Sequence, residues 1–122
     1  MARFALALML AGAAGSLAGT AQDDKTCLHG RSETANQRAR RVGALQFARQ
    51  LNTFEAAGKS QAQSYYAIAD LPGLPPIPDG FQARLSTDGA SYAFSVKDTL
   101  DACHFAFFSD QDGVIYTAMP VR

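Results

Sequence analysis

The apolar residues of this chain change their spacing on either side of a short block rich in proline and glycine. Residues 71–80 contain four Pro and two Gly, which excludes a regular helix or a central strand there. Before this block apolar residues recur mainly at every third or fourth position, and after it at every second position. These two spacings are typical of an amphipathic helix and of half-buried strands. The pattern therefore predicts an α+β fold.

The first stretch predicts one long helix over residues 34–57. Thr34 and Gln37 have the T-x-x-Q spacing of a capping box, which marks the start of a helix. Gly58 stands where a glycine commonly follows the last turn, so we expect the helix to end before it. The apolar stripe of this helix consists of Ala35, Ala39, Val42, Leu45, Phe47, Ala48, Leu51 and Phe54.

The second stretch, residues 81–119, predicts four strands. Asp88-Gly89 is a strong hairpin signal, and the segment from Asp110 to Gly113 predicts a second turn. Strands joined by short connections pair with their neighbours in sequence, and the helix can cover one face of such a sheet. We therefore predict one long N-terminal amphipathic helix packed on a four-stranded antiparallel meander, with residues 70–80 as an ordered strap across the core.

The N-terminus has the pattern of a secretory signal peptide over residues 1–21. Arg3 precedes an apolar run, and Gly19 and Ala21 are small residues suitably placed for cleavage after Ala21. Residues 22–33 form a polar lead-in, and residues 34–122 a single domain. We expect an exported protein, periplasmic or extracellular, with no membrane span after cleavage. An uncleaved membrane anchor is the alternative.

Two cysteines and two histidines form the main candidate for special chemistry. Export favours a disulfide between Cys27 and Cys103. His29 and His104 lie beside these cysteines in sequence, so reduced thiols would allow a second interpretation, a small metal-binding protein or enzyme centred on these four residues. Their spacing matches no common zinc motif, and neighbouring residues on a strand point to opposite faces. The disulfide is the preferred prediction.

Other features give no catalytic residue and no cofactor. Eleven basic and eleven acidic residues leave no net charge, so we expect no nucleic-acid partner. The chain has neither a P-loop nor a G-x-S-x-G elbow. Asp98 and Asp101 flank a predicted turn, where carboxylates usually accept backbone hydrogen bonds. We expect the first turns of the helix, which carry Arg38, Arg40 and Arg41, to extend beyond the sheet.

A surplus of aromatic and apolar residues in the second half of the chain suggests a protein partner. Phe105 and Phe107 point to the sheet face opposite Phe108, so we expect at least one apolar group on the face away from the helix or under the proline-rich strap. Leu71, Leu74 and Ile77 recur at every third residue, which places them on one side of an extended proline-rich segment. These five residues, Leu71, Leu74, Ile77, Phe105 and Phe107, are the predicted contact surface for another envelope or secreted protein. The oligomeric state is not indicated.

The second half also resembles the globular head of type IV pilin-like proteins, including the pseudopilins of secretion systems. The resemblance lies in Gly89-Ala-Ser-Tyr92-Ala-Phe94-Ser-Val96, Asp101-Ala-Cys103 and Asp112-Gly-Val-Ile-Tyr116. It implies a helix followed by antiparallel strands and a role in a cell-envelope assembly. The N-terminus departs from that family, because its leader is of the ordinary secretory type and the helix is amphipathic and basic. The resemblance therefore implies a detached, soluble version, and it transfers no functional residue.

Overall fold

The four strands form one antiparallel sheet in the order β1-β2-β3-β4, and a single long helix covers one face. The structure is a computed structural model that describes residues 33–100 and 105–118. Its elements are α1 (Ala35–Ala62), a short 3-10 helix (Ile68–Asp70), β1 (Phe81–Thr87), β2 (Tyr92–Asp98), β3 (Ala106–Asp110) and β4 (Tyr116–Ala118). The predicted α+β class and meander are confirmed.

Helix α1 begins as predicted but ends later. The hydroxyl of Thr34 accepts a hydrogen bond from the Gln37 amide, and the Gln37 side chain accepts one from the Thr34 amide, which completes the capping box. The predicted end at residue 57 is wrong, because α1 continues through Gly58 to Ala62 and ends on Gln63 in the left-handed conformation. Gly58 is a packing position, since a Cβ there would lie 2.6 Å from Cδ2 of Tyr66.

The proline-rich strap contains neither helix nor strand over residues 71–80, as its composition predicts. Leu71 is buried and Leu74 packs against the core, so the first part of the strap lies on the hydrophobic interior. Ile77 is 41% exposed, so the three residues do not share one buried face.

The last two strands differ from their predicted bounds. The alternation of apolar residues predicts the third strand over residues 104–108 and the fourth over residues 114–119, whereas β3 is Ala106–Asp110 and β4 is Tyr116–Ala118. Two backbone carbonyls just before β4 accept hydrogen bonds from side chains. The Asn52 side-chain amide donates to the Gly113 carbonyl, and the Ser109 hydroxyl donates to the Val114 carbonyl. Because these two carbonyls bond to side chains, they do not take part in the sheet, and pairing with β3 starts at Tyr116.

The hydrophobic core lies between α1 and the inner face of the sheet. Phe105 and Phe107, which the sequence assigns to a contact surface, are almost completely buried and therefore form no exposed surface. Phe107 pairs with buried Val96, which places it on the helix-covered side. The core consists of Ala44, Phe47, Ala48, Leu51, Leu71, Phe81, Tyr92, Phe94, Val96, Phe105 and Phe107.

Several predictions fall on residues outside the described part of the chain. They concern the signal peptide, most of the polar lead-in, Asp101, and the set Cys27, His29, Cys103 and His104. Among the residues that are described, no helix has both the length and the hydropathy of a membrane span.

Candidate functional site: the open edge of the sheet at β4

The outer face of the sheet carries one row of side chains that crosses all four strands. Arg84 pairs with Ser95, Ser95 with Phe108, and Phe108 with Tyr116. Because directly paired residues of antiparallel strands project to the same side, these four residues lie side by side on the face opposite α1. The row is polar on β1 and β2 and aromatic on β3 and β4.

The aromatic end of this row, which we call the outer aromatic pair, consists of Phe108 and Tyr116. Their ring centroids are 5.2 Å apart and the rings are inclined by 22°, so they stack on each other. Phe108 is 42% exposed and Tyr116 is 51% exposed. The stacked pair therefore presents an aromatic surface to solvent on the last two strands of the sheet.

A shallow depression of about 350 Å³ lies beside the outer aromatic pair. The depression is deepest at β2, because Ala93 and Ser95 have small side chains there. Charged groups border it, with the Arg84 guanidinium on β1 and the Asp110 carboxylate at the end of β3. The face thus combines an aromatic wall with a border that carries one cation and one anion.

A groove of about 500 Å³ lies on the other side of the same edge, between α1 and β4. Helix positions Arg41, Leu45 and Arg49 line one wall, because residues four apart lie on one face of a helix. Ile115 and Thr117 line the opposite wall. Leu45 and Ile115 pack against the core, so the middle of the groove is apolar and its helical wall carries two cations.

The two cations of the groove differ in their surroundings. The Arg41 guanidinium makes two hydrogen bonds to the Glu33 carboxylate, at 2.7 and 2.9 Å, and this contact raises the pKa of Arg41. Arg49 is exposed and has no ion-pair partner within residues 33–100 and 105–118. Arg49 is therefore the cation of the groove that is available to an outside anion.

A polar network under the sheet fixes α1 against β2 and β3. The Tyr92 hydroxyl donates to Oδ1 of Asn52 at 2.7 Å, and Nδ2 of Asn52 donates to Oγ of Ser109 at 3.0 Å. Burial is the main cause that raises the pKa of Tyr92 to about 12, with smaller contributions from nearby anionic groups. The network is internally satisfied, so we assign it a structural role.

Glu55 is a second buried polar group of α1. One carboxylate oxygen accepts a hydrogen bond from the Tyr66 amide at 3.0 Å, and the other has no partner among the described residues. Burial raises the pKa of Glu55, although the bond from Tyr66 acts in the opposite direction. This carboxyl group accepts a hydrogen bond from the connection after α1 and does not line either of the two surface depressions described above.

The predicted contact residues are only partly on the surface. Phe105, Phe107 and Leu71 are buried in the core, whereas Ile77 is exposed on the strap. The surface aromatic residues are instead Phe108 and Tyr116, which sequence reasoning did not select. The alternation along residues 105–108 correctly places Phe108 on the opposite sheet face from Phe107, but it does not identify which of the two faces the helix covers.

Within the described ranges, no three His, Cys, Asp or Glu side chains are grouped so that they could hold a metal ion. The predicted disulfide and the alternative Cys–His cluster involve residues outside those ranges. No protein-family model matches the chain, and no match is found among curated proteins or solved structures.

Proposed function

We propose that this chain is an exported, non-catalytic domain that binds a protein partner in a cell-envelope assembly. The observation that carries the proposal is the outer aromatic pair, a stacked Phe108 and Tyr116 exposed beside the last strand. Aromatic side chains are enriched at protein interfaces because they bury a large area at a small cost in side-chain entropy. An exposed aromatic surface of this kind is typical of an interaction site.

Site-directed photo-crosslinking tests this proposal in cells that export the chain. A photoreactive phenylalanine analogue is placed at Phe108 in one variant and at Tyr116 in another. The matched control carries it at Gln82, which is exposed on the outer face of β1, the opposite edge strand. We expect one adduct of defined mass from positions 108 and 116, containing a second protein, and no such adduct from position 82.

Two results would contradict the proposal. One is the absence of any adduct from positions 108 and 116 in variants that unfold at the same temperature as the parent chain. The other is the same set of adducts from all three positions, since that would show random collisions rather than a defined surface.

The proposal includes export and a disulfide between Cys27 and Cys103. The described positions of the chain support such a pairing. Arg40 in the second turn of α1 contacts Asp98, and the Asp98 amide donates to the Phe105 carbonyl at 2.8 Å. The start of the helix and Phe105, which follows Cys103 by two positions in sequence, therefore lie at the same end of the sheet. The six Cα–Cα steps from Cys27 to Glu33 can span up to about 20 Å, so the sequence separation permits Cys27 to reach that end of the sheet.

Intact mass measurement of the exported protein, with and without thiol alkylation, tests this part. We expect a chain that starts at Gln22 and takes up no alkylating reagent until it is reduced. A Cys27→Ser variant is the control and should expose one reactive thiol. Two reactive thiols in the parent chain, or stoichiometric bound metal, would support the alternative site formed by Cys27, His29, Cys103 and His104.

The pilin-like resemblance is part of the same proposal. A head domain that functions in an envelope assembly needs a surface for its neighbours, and the outer aromatic pair provides one. The identity of the protein crosslinked at position 108 tests this assignment, because an assembly component is expected and an unrelated soluble enzyme would contradict it.

A further inference from the structure

We infer that the partner binds as an extended acidic segment that adds a fifth strand to the sheet at β4. This inference rests on the proposed function and specifies the chemistry of its partner. Its basis is the position of the β4 edge between two distinct surfaces, the outer aromatic pair on one side and the groove with Arg49 on the other.

The first step concerns the edge itself. In the sheet of the described residues β4 pairs only with β3, so the backbone groups on its other side are not paired within that sheet. Residues 116–118 carry no charge, and β4 contains neither proline nor lysine, the residues that commonly protect an edge strand from pairing. At the opposite edge, β1 presents Arg84 on its exposed face. The β4 edge is therefore better suited to strand addition than β1.

The second step concerns the two faces that an added strand would contact. Side chains of a strand alternate between the two sides of a sheet. On one side they would meet Tyr116, which is stacked on Phe108. On the other side they would meet Thr117 and the groove beneath α1. A segment with alternating side chains thus contacts both surfaces at once, as in strand-addition complexes.

The third step concerns charge. Arg41 and Arg49 line the groove on its helical wall, and only Arg41 is neutralised by a described side chain, that of Glu33. Among the residues that the structure describes, none that lines the groove is acidic. A carboxylate on the inward side of the added strand would complement Arg49, whereas a cation there would be repelled by both guanidinium groups. An acidic partner segment is therefore favoured over a basic or neutral one.

The test uses the exported chain and a capped synthetic peptide of about eight residues in which Val and Glu alternate. Fluorescence anisotropy measures affinity, and amide chemical shifts locate the binding site. We expect saturable binding with shift changes in β4 and in the α1 turns around Leu45. The same peptide with alternate backbone amides methylated should lose binding, because it keeps its side chains but cannot complete the ladder.

Matched variants test the charge argument. Arg49→Gln and Gln50→Glu each lower the net charge by one, but only residue 49 lines the groove. We expect Arg49→Gln to raise the dissociation constant of the Val–Glu peptide about fivefold, the effect of a partly exposed ion pair. Gln50→Glu should change it by less than about twofold, because surface charges outside a contact are strongly screened. A peptide with Lys in place of Glu should bind more weakly than the Val–Glu peptide.

Three results would overturn the inference. They are the absence of Val–Glu peptide binding at millimolar concentration, binding that survives amide methylation, and a dimer in solution whose contact surface is the β4 edge. The last result would identify a second copy as the occupant of the edge. If the photo-crosslinking adduct forms at position 108 but the Val–Glu peptide does not bind, or binds despite amide methylation, the proposed function stands and only the strand-addition mode is excluded.

Discussion

The guanidinium of Arg40 lies 2.7 Å from the carboxylate of Asp98, joining the second turn of α1 to the last residue of β2. The Asp98 side chain is completely buried, and it also accepts a hydrogen bond from the Leu100 amide. Arg40 stacks over the Phe81 ring at 5.1 Å from its centroid. One arginine therefore compensates a buried charge and covers the start of β1.

Replacing Arg40 with methionine should destabilise the fold strongly, because it removes the Arg40 cation from the buried Asp98 carboxylate. Loss of one partner of a buried ion pair typically costs about 3 kcal/mol. The measurement is the free energy of unfolding in urea. Arg38→Met is the control. The Arg38 side chain is 72% exposed, and its Nε lies as far as 3.8 Å from the Glu33 carboxylate. Loss of this weak surface ion pair should lower the free energy of unfolding by less than about 0.5 kcal/mol. Equal effects of the two substitutions would contradict this assignment.

Two glycines of α1 should respond to alanine in opposite directions. Alanine favours a helix interior over glycine by about 1 kcal/mol. At Gly43 a Cβ would meet no atom within 4 Å, so Gly43→Ala should stabilise the protein by up to that amount. At Gly58 a Cβ would lie 2.6 Å from the Tyr66 ring, so Gly58→Ala should destabilise it. Thermal unfolding distinguishes the two, and a rise in melting temperature for both would show that the Tyr66 contact is readily displaced.

Glu55 should make stability depend on pH in the mildly acidic range. Burial raises its pKa in the folded protein above the ordinary value of 4.5, so the folded state retains this proton more tightly than the unfolded state. The contribution of Glu55 to the free energy of unfolding is therefore greatest below pH 4.5, and it decreases as pH rises through the pKa that Glu55 has in the folded protein. The decrease is limited to about 1.4 kcal/mol per pH unit.

The measurement for Glu55 is the difference in stability between the parent chain and Glu55→Gln across this pH range. The amide oxygen of the substituted side chain can still accept the bond from Tyr66, but the group cannot ionise. We expect Glu55→Gln to gain stability relative to the parent as pH rises from 4.5. A constant difference across the range would mean that Glu55 ionises normally in the fold.

Asn52 should be a major stabilising residue of the interface between α1 and the sheet. Asn52→Ala removes the acceptor of the Tyr92 hydroxyl and a donor to Ser109, and it leaves the Tyr92 hydroxyl without its acceptor, although Ser109 keeps its bond to the Val114 carbonyl. We expect a loss of about 2 kcal/mol. Thr53→Ala removes only a bond to the Arg49 carbonyl on an exposed face and should change stability by less than about 0.5 kcal/mol. Urea unfolding of both variants makes the comparison, and a similar small loss for Asn52→Ala would contradict the assignment.

Tyr92 should ionise late in alkaline solution. Its pKa is raised to about 12, so its phenol should titrate well above the ordinary value near 10. Because the folded state holds this proton more tightly, the stabilising contribution of Tyr92 decreases as pH rises from 10 through about 12. Ultraviolet absorbance follows the titration, and Tyr92→Phe should remove the late step. A late step that remains in the variant would assign it to another tyrosine.

The sequence by itself determined the element types and their order. Local signals carry this information: the capping box at Thr34, the composition of residues 71–80, and the turn at Asp88-Gly89 each act within a few residues. The apolar period supplies the rest, because it distinguishes helix from strand without knowledge of any distant contact. The meander then follows from the short connections between strands.

Only the tertiary structure decided which residues form the candidate site. Strand alternation separates Phe107 from Phe108, but either could have faced the helix until α1 was placed on the Phe107 side. Gly58 has the local signature of a helix end, yet Tyr66 packs against it and α1 continues to Ala62. Arg40 bonds to Asp98, 58 positions away in sequence. Each of these outcomes depends on contacts between distant segments, and local sequence patterns carry no information about such contacts.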